Sequence, residues 1–281
     1  MKLNFLTFLA IALGFQSKAA AAVPDTFEES DSKLGVEWII KKIRSTARKN
    51  IGICMKPSIA SPLGIGCSKF GGKPDVPEGF QWPCDDSARP LSLLLQINCS
   101  DLKASDKEKL FPSTGFLYFF YELEEENWDG TENSFRVVYY DVKQHDLHRV
   151  DFPENLYEGY RLKEIPVSFP EQKSYPTYFD IDEMMPEELQ MSKELDEAYE
   201  RVKNERDANT IATMSGYADI IQNPIVEDTD KYVLLLQIFS DESGKKTEIE
   251  FGDCGNIFFY ISREDLKAKR FDRIKFELQC Y

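Results

Sequence analysis

Five glycines crowd one stretch of the chain, Gly64, Gly66, Gly71, Gly72 and Gly79, beside Lys69 and Lys73. A phosphate-binding loop requires G-x-x-x-x-G-K-[ST], with its lysine directly after the second glycine. Gly66 and Gly71 have that spacing, but Gly72 stands where the lysine belongs and Pro74 blocks the following helix. Gly64-Ile65-Gly66 lacks the third glycine of a dinucleotide fingerprint, because position 69 is lysine. The Gly71-Gly72 pair therefore reads as a tight loop with positive φ and a close chain crossing. If the loop touches a ligand, Lys69 and Lys73 are its cationic contacts in an acidic protein. Replacing both with Ala is then expected to weaken anion binding and leave the melting temperature almost unchanged.

The only histidines, His145 and His148, are three residues apart. On a helix that spacing would set two imidazoles side by side. Their flanks read as strands, so the pair is expected in a polar turn, and no HExxH frame or nearby cysteine supports a metal site. No metal or cofactor is expected. Among the carboxylates, Asp241 follows an apolar run and Asp253 precedes Gly255, and the two could meet at one sheet edge. Trp82, Trp128 and Tyr217 lie in Gly/Pro-rich or polar surroundings. Trp82 and Tyr217 either face each other across a cleft lined by two glycine loops, or Trp82 simply caps the core beside Pro83.

The elements that must position these residues are short. Apolar or aromatic runs at Leu91–Ile97, Phe116–Tyr121, Phe135–Val142, Leu162–Phe169, Tyr232–Phe239, Asn256–Ile261 and Ile274–Cys280 predict strands. Val36, Ile39, Ile40, Ile43 and Ala47 predict a helix, capped by Asp31 or Ser32. An acidic amphipathic helix is expected within residues 180–207, entered at Pro186. A short helix from Arg263 is capped by Ser262.

Two of these runs recur. Leu93-Leu94-Leu95-Gln96-Ile97 returns as Leu234-Leu235-Leu236-Gln237-Ile238, 141 residues later. Gly115-Phe116-Leu117-Tyr118-Phe119-Phe120 returns as Gly255-Asn256-Ile257-Phe258-Phe259-Tyr260, 140 later. Phe70-Gly71-Gly72-Lys73-Pro74-Asp75 has a weaker counterpart in Met214-Ser215-Gly216-Tyr217-Ala218-Asp219, 144 later. Three elements in one order at nearly constant offset imply a duplicated α+β unit. A glutamine inside an apolar strand needs its amide satisfied, so Gln96 and Gln237 are expected to bind backbone or each other.

Ser68-Lys69-Phe70-Gly71-Gly72-Lys73-Pro74, Pro77, Trp82-Pro83 and Pro90-Leu91 leading into Leu95-Gln96-Ile97 resemble the YwqG-like family, a domain of unknown function. The second half resembles its other hallmarks: Leu235-Leu236-Gln237-Ile238, Ser240-Asp241, Gly252-Asp253-Cys254-Gly255 and Gln279-Cys280-Tyr281. The resemblance covers about residues 35–281. It implies one α+β domain with pseudo-twofold internal duplication, and no established activity. Ser215-Gly216 departs from the usual Gly-Gly pair.

Composition narrows the partners. Lys plus Arg number 34 against 49 Asp plus Glu, a formal net charge of −15. Such a surface repels phosphate backbones, so nucleic acid is not an expected partner. Residues 1–22, with a thirteen-residue apolar run and an alanine cluster, read as a secretory signal peptide, too short to span a bilayer. Export, to the outside or a periplasm, is expected, although the resemblance implies a cytoplasmic protein. The six cysteines include no C-x-x-C pair and leave disulfides undecided.

The expected fold is α+β: antiparallel-rich sheets with flanking helices over residues 23–281. A first half (about 50–150) is joined by the helical connection (180–207) to a second half (about 210–281). The expected function is non-enzymatic binding of a small ligand or a basic protein partner. The alternative is a hydrolase using carboxylates between the repeats. The candidate binding residues are Lys69, Gly71, Gly72, Lys73, Trp82, Tyr217, Asp241 and Asp253.

Overall fold

The computed structural model describes residues 35–57, 62–123, 134–241 and 243–280. The expected signal segment and Trp128 lie outside them. Ile39, Ile40 and Ile43 do form the buried stripe of a helix, α1 (Val36–Ser45). Its N-cap is Gly35, without a side-chain cap, rather than Asp31 or Ser32. The chain then runs through β1 (Arg48–Met55), β2 (Lys69–Phe70), β3 (Asp75–Pro77), β4 (Ser92–Asn98), β5 (Phe116–Tyr121) and β6 (Phe135–Tyr140). Next come β7 (Leu147–Arg149), β8 (Ile165–Ser168) and β9 (Glu171–Ser174). The acidic connection is two helices rather than one, α2 (Tyr178–Glu183) and α3 (Lys193–Lys203). Pro186 opens only a 3-10 turn, and the longer helix starts at Ser192, whose hydroxyl accepts from Leu195 N. The chain closes with β10 (Thr210–Met214), β11 (Tyr232–Phe239), β12 (Asn256–Ser262), α4 (Arg263–Lys267) and β13 (Ile274–Gln279).

Eleven strands form one antiparallel sheet, ordered β13-β12-β11-β10-β1-β8-β2-β4-β5-β6, with β9 continuing the pairing of β8 along β1. Two four-stranded runs thus extend in opposite directions from the central pair β1–β8. The sheet curls until its edges meet: Phe135 of β6 stacks on Phe276 of β13 at 4.6 Å, and Phe119 packs edge-on against Phe259. The inner face holds the main core, including Ile51, Phe70, Leu95, Phe119, Ile211, Leu236 and Phe259. Alternation along each strand sends the neighbours of these residues outward. Smaller apolar clusters cover that outer face, one around Phe116, Tyr118 and Phe120, the other around Leu234, Phe258 and Tyr260.

The two runs share register details. The β4–β5 pairing slips between Leu93 and Leu95, and the β11–β12 pairing slips between Leu234 and Leu236. Cys99 N donates to Gly115 O at 3.0 Å, and Ser240 N to Gly255 O at 3.2 Å. Gly71 and Gly72 have φ of 60° and 74°, while Ser215 and Gly216 have 59° and 70°. Helices α1 and α3 pack together outside this sheet, joined by an Arg201–Glu37 ion pair at 2.7 Å and by Arg44 with Glu205.

Candidate functional site

Beneath the first glycine loop lies a sealed polar cage. Lys69 faces outward from β2, yet its side chain is fully buried. Its ammonium donates to the Lys73 carbonyl at 2.6 Å and to Glu164 Oε2 at 2.8 Å, and lies 3.3 Å from Asp75 Oδ2. The Asp75 carboxylate also accepts from Arg149 Nε (2.7 Å), Gln96 Nε2 (3.0 Å) and Gly66 N (3.0 Å). Burial opposes the charge on Asp75, but the hydrogen bonds from Arg149 and Gln96, with the Lys69 charge, hold its carboxyl below the ordinary range. Gln96 closes the cage from the neighbouring strand: its Oε1 accepts from Asp75 N at 2.7 Å and its Nε2 also donates to Cys67 O.

This cage corrects one expectation. Lys69 bridges the buried Asp75 and the partly exposed Glu164, and without it Arg149 alone, among the described residues, balances two carboxylates, so its removal must destabilise the fold. The paired Ala replacement cannot leave the melting temperature unchanged. Lys73 is the opposite case, half-exposed and paired with Asp151 at 2.5 Å. Gly71 and Gly72 sit where the loop crosses residues 162–164, and a Cβ on Gly72 would come within 2.8 Å of Glu164 Cβ.

The remaining candidates are scattered. Trp82 packs against Phe80, Phe120 and Phe152, and its Nε1 donates to Leu91 O at 2.9 Å. Tyr217 lies under the Arg48 guanidinium, 4.3 Å from its ring centre, and its backbone N donates to Ser174 Oγ. The two rings therefore belong to different neighbourhoods, and the glycine loops cross different strands. Asp241 accepts four hydrogen bonds from its own loop, from Ser243 N and Oγ, Lys246 N and Glu248 N. Burial opposes its charge, yet those bonds hold its carboxyl at about 2. Asp253 is exposed, near Glu250 and Cys254. His145 lies in a 3-10 turn and His148 on β7, which pairs with β3. All six cysteines are free thiols.

Two adjoining clefts open on the second half instead. One, of about 550 Å³, runs between the end of α3 and the loops holding Asp241 and Cys254. The other, of about 410 Å³, lies along β9 beside Tyr175 and Tyr199. They share Lys203, Arg206, Asp207 and Asp219. Asp219 N donates to Gln237 Oε1 at 2.9 Å, the same bond that Asp75 makes to Gln96. Its carboxylate differs: it turns to Arg206 at 3.0 Å, and that guanidinium lies over the Phe239 ring. Asp219 was legible as the residue aligned with Asp75 in the recurring runs of the sequence. Arg149, Glu164 and Arg206 carried no local signal.

No curated protein matches the chain. The family model for a domain of unknown function, DUF1963, matches residues 68–280, so it starts after β1 although β1 lies at the centre of the sheet. Every strand from β2 to β13 falls inside that match, and the chain belongs to the DUF1963 family.

Proposed function

We propose that this protein is a non-enzymatic binding protein whose joined clefts take a basic segment of a protein partner. One observation carries the reading. The two aspartates that bind a strand glutamine through their backbone N–H differ in access, Asp75 being sealed among Lys69, Arg149 and Gln96 while Asp219, paired with Arg206 and Lys203, stands half-buried where two clefts meet. Glu171, Glu200, Glu205 and Asp207 add acidic groups along the clefts, within a protein of net charge −15 that steers cations toward it. We further propose that the halves descend from one duplicated unit, which the matching register slips and glutamine bonds support. The hydrolase alternative draws no support from Asp241, whose oxygens are already engaged by its own loop.

A fluorescent lysine-rich peptide titrated at low and high salt tests the reading. Binding should weaken with salt, and Glu200→Gln with Asp207→Asn should weaken it further. Binding indifferent to both substitutions overturns it. So does turnover of generic esterase, glycosidase or phosphatase substrates that Asp253→Asn abolishes.

A further inference from the structure

The two halves correspond in strand register around the cage. Lys69 pairs with Pro166 and Gln96 across the sheet, and Thr213 pairs with Gly52 and Gln237. A Cβ on Gly72 would press on Glu164 Cβ at 2.8 Å, and one on Gly216 on Asn50 Cβ at 2.9 Å. Lys69, Lys73, Asp75, Gln96 and Glu164 thus correspond to Thr213, Tyr217, Asp219, Gln237 and Asn50. The second half keeps the acceptors of the first but has Thr213 at the place of the lysine, and the ammonium of Lys203 stands 3.8 Å from Asp219 without reaching a buried position.

The consequence is visible in two buried atoms. Asn50 Oδ1 and Gln237 Nε2 have no hydrogen-bond partner, in side chains 4% and 0% exposed. Buried polar atoms are rarely left this way, because each costs the full desolvation of the group. In the first half, the Lys69 ammonium donates to Glu164, the counterpart of Asn50, and Gln96 Nε2 donates to the aspartate. Neither residue lines a cleft, but each adjoins one that does: Gln237 binds the backbone N of Asp219, which lines both clefts, and Asn50 pairs in register with Gln172, which lines the smaller one.

We propose that the second half binds a primary ammonium group from outside the chain, at the place where the first half holds the Lys69 ammonium. Asn50 Oδ1, the Tyr217 carbonyl and the Asp219 carboxylate accept its three N–H bonds. Asp219 leaves Arg206 and Lys203 to do so and accepts from Gln237 Nε2, as Asp75 accepts from Gln96. Both unpartnered atoms are satisfied together, which a quaternary ammonium, with no N–H to give Asn50 Oδ1, could not achieve. The inference rests on the cleft reading and makes it specific: the basic segment is recognised through a lysine.

The test compares a lysine-containing peptide with the same peptide carrying trimethyl-lysine, which keeps the charge and loses the donors. Binding to the full protein should fall at least about tenfold on trimethylation, the loss of one charge-assisted hydrogen bond or more. Asp219→Asn should erase the difference. The double variant Thr213→Lys, Asn50→Glu, which rebuilds the first-half cage, should fold with an undiminished melting temperature and no longer discriminate. Propylammonium as competitor separates the sources: displacement of the peptide marks a site for any primary amine. Discrimination without displacement marks one that needs the lysine delivered by its segment, and both results support the proposal. Equal binding of the two peptides, with Asn50 and Gln237 bridged by water alone, overturns it while the cleft reading stands. Binding of neither overturns both.

Discussion

Gln96 and Gln237, 141 residues apart, each accept a hydrogen bond from the backbone of an aspartate, but only Gln96 has partners for its amide nitrogen. The same residue type in the same register therefore has two different costs of removal. Gln96→Leu strands the Asp75 N–H and deprives its carboxylate of a donor, and should cost about 3 kcal/mol. Gln237→Leu strands only the Asp219 N–H and removes an amide that had no partner, so about 1 kcal/mol is expected. Urea denaturation of both variants measures the gap. Equal losses would mean that the second amide is satisfied as fully as the first.

Lys69 and Lys73 should part in the same experiment. Lys69→Ala leaves Asp75 and Glu164 with Arg149 as their remaining shared cation, and should cost about 3–5 kcal/mol. Lys73→Ala breaks only a solvent-exposed pair with Asp151, and its urea midpoint should stay at the parent value. A tolerated Lys69→Ala would contradict the buried cage.

Gly72→Ala combines backbone strain at φ 74° with a contact on Glu164, a residue of the cage. Gly79, at φ 81°, has nothing within 4 Å of a Cβ and serves as the control. Gly79→Ala should cost about 1 kcal/mol from conformation alone, and Gly72→Ala about 2–3 kcal/mol. Gly72→Val should be worse than either. If thermal melts rank Gly72→Ala with Gly79→Ala, the crossing is looser than described.

Acid should erode stability partly through Asp241. Its folded value, about 2, lies below the ordinary 3.8, so protons bind the unfolded chain more readily. Its contribution, about 2 kcal/mol, is complete above about pH 4 and disappears as the pH falls toward 2. Asp75, also depressed, acts in the same direction. The stability difference between parent and Asp241→Asn should accordingly be largest near neutrality and close between pH 4 and 2. A difference independent of pH would show that the loop does not depend on the carboxylate charge.

Residues close in sequence were enough to place several elements. Aromatic and β-branched runs marked β5 and β11 at their observed bounds, Phe116–Tyr121 and Tyr232–Phe239. A helical period marked α1, and Ser262 with Asp265 marked α4, whose cap bond is 3.0 Å. The recurrence of Leu-Gln-Ile marked two glutamines that bind backbone. These features depend on side-chain alternation and capping within a few residues, so the linear pattern carries them.

Strand β1 did not show itself, because Arg48, Lys49 and Asn50 lead it and Gly52 interrupts its apolar residues. It is a strand because β10 pairs on one edge and β8 with β9 on the other. Lys69 was read as a ligand contact because it is a positive charge beside a glycine loop in a very acidic protein. Its partner Glu164 lies 95 residues away, and Arg149, which closes over Asp75, lies 74 away. The tertiary structure alone decided that Asp75 is sealed while Asp219, paired with Arg206 and Lys203, borders the clefts. Burying a charge is tolerable only where its counter-charges converge, and that convergence is a property of the folded sheet rather than of any segment.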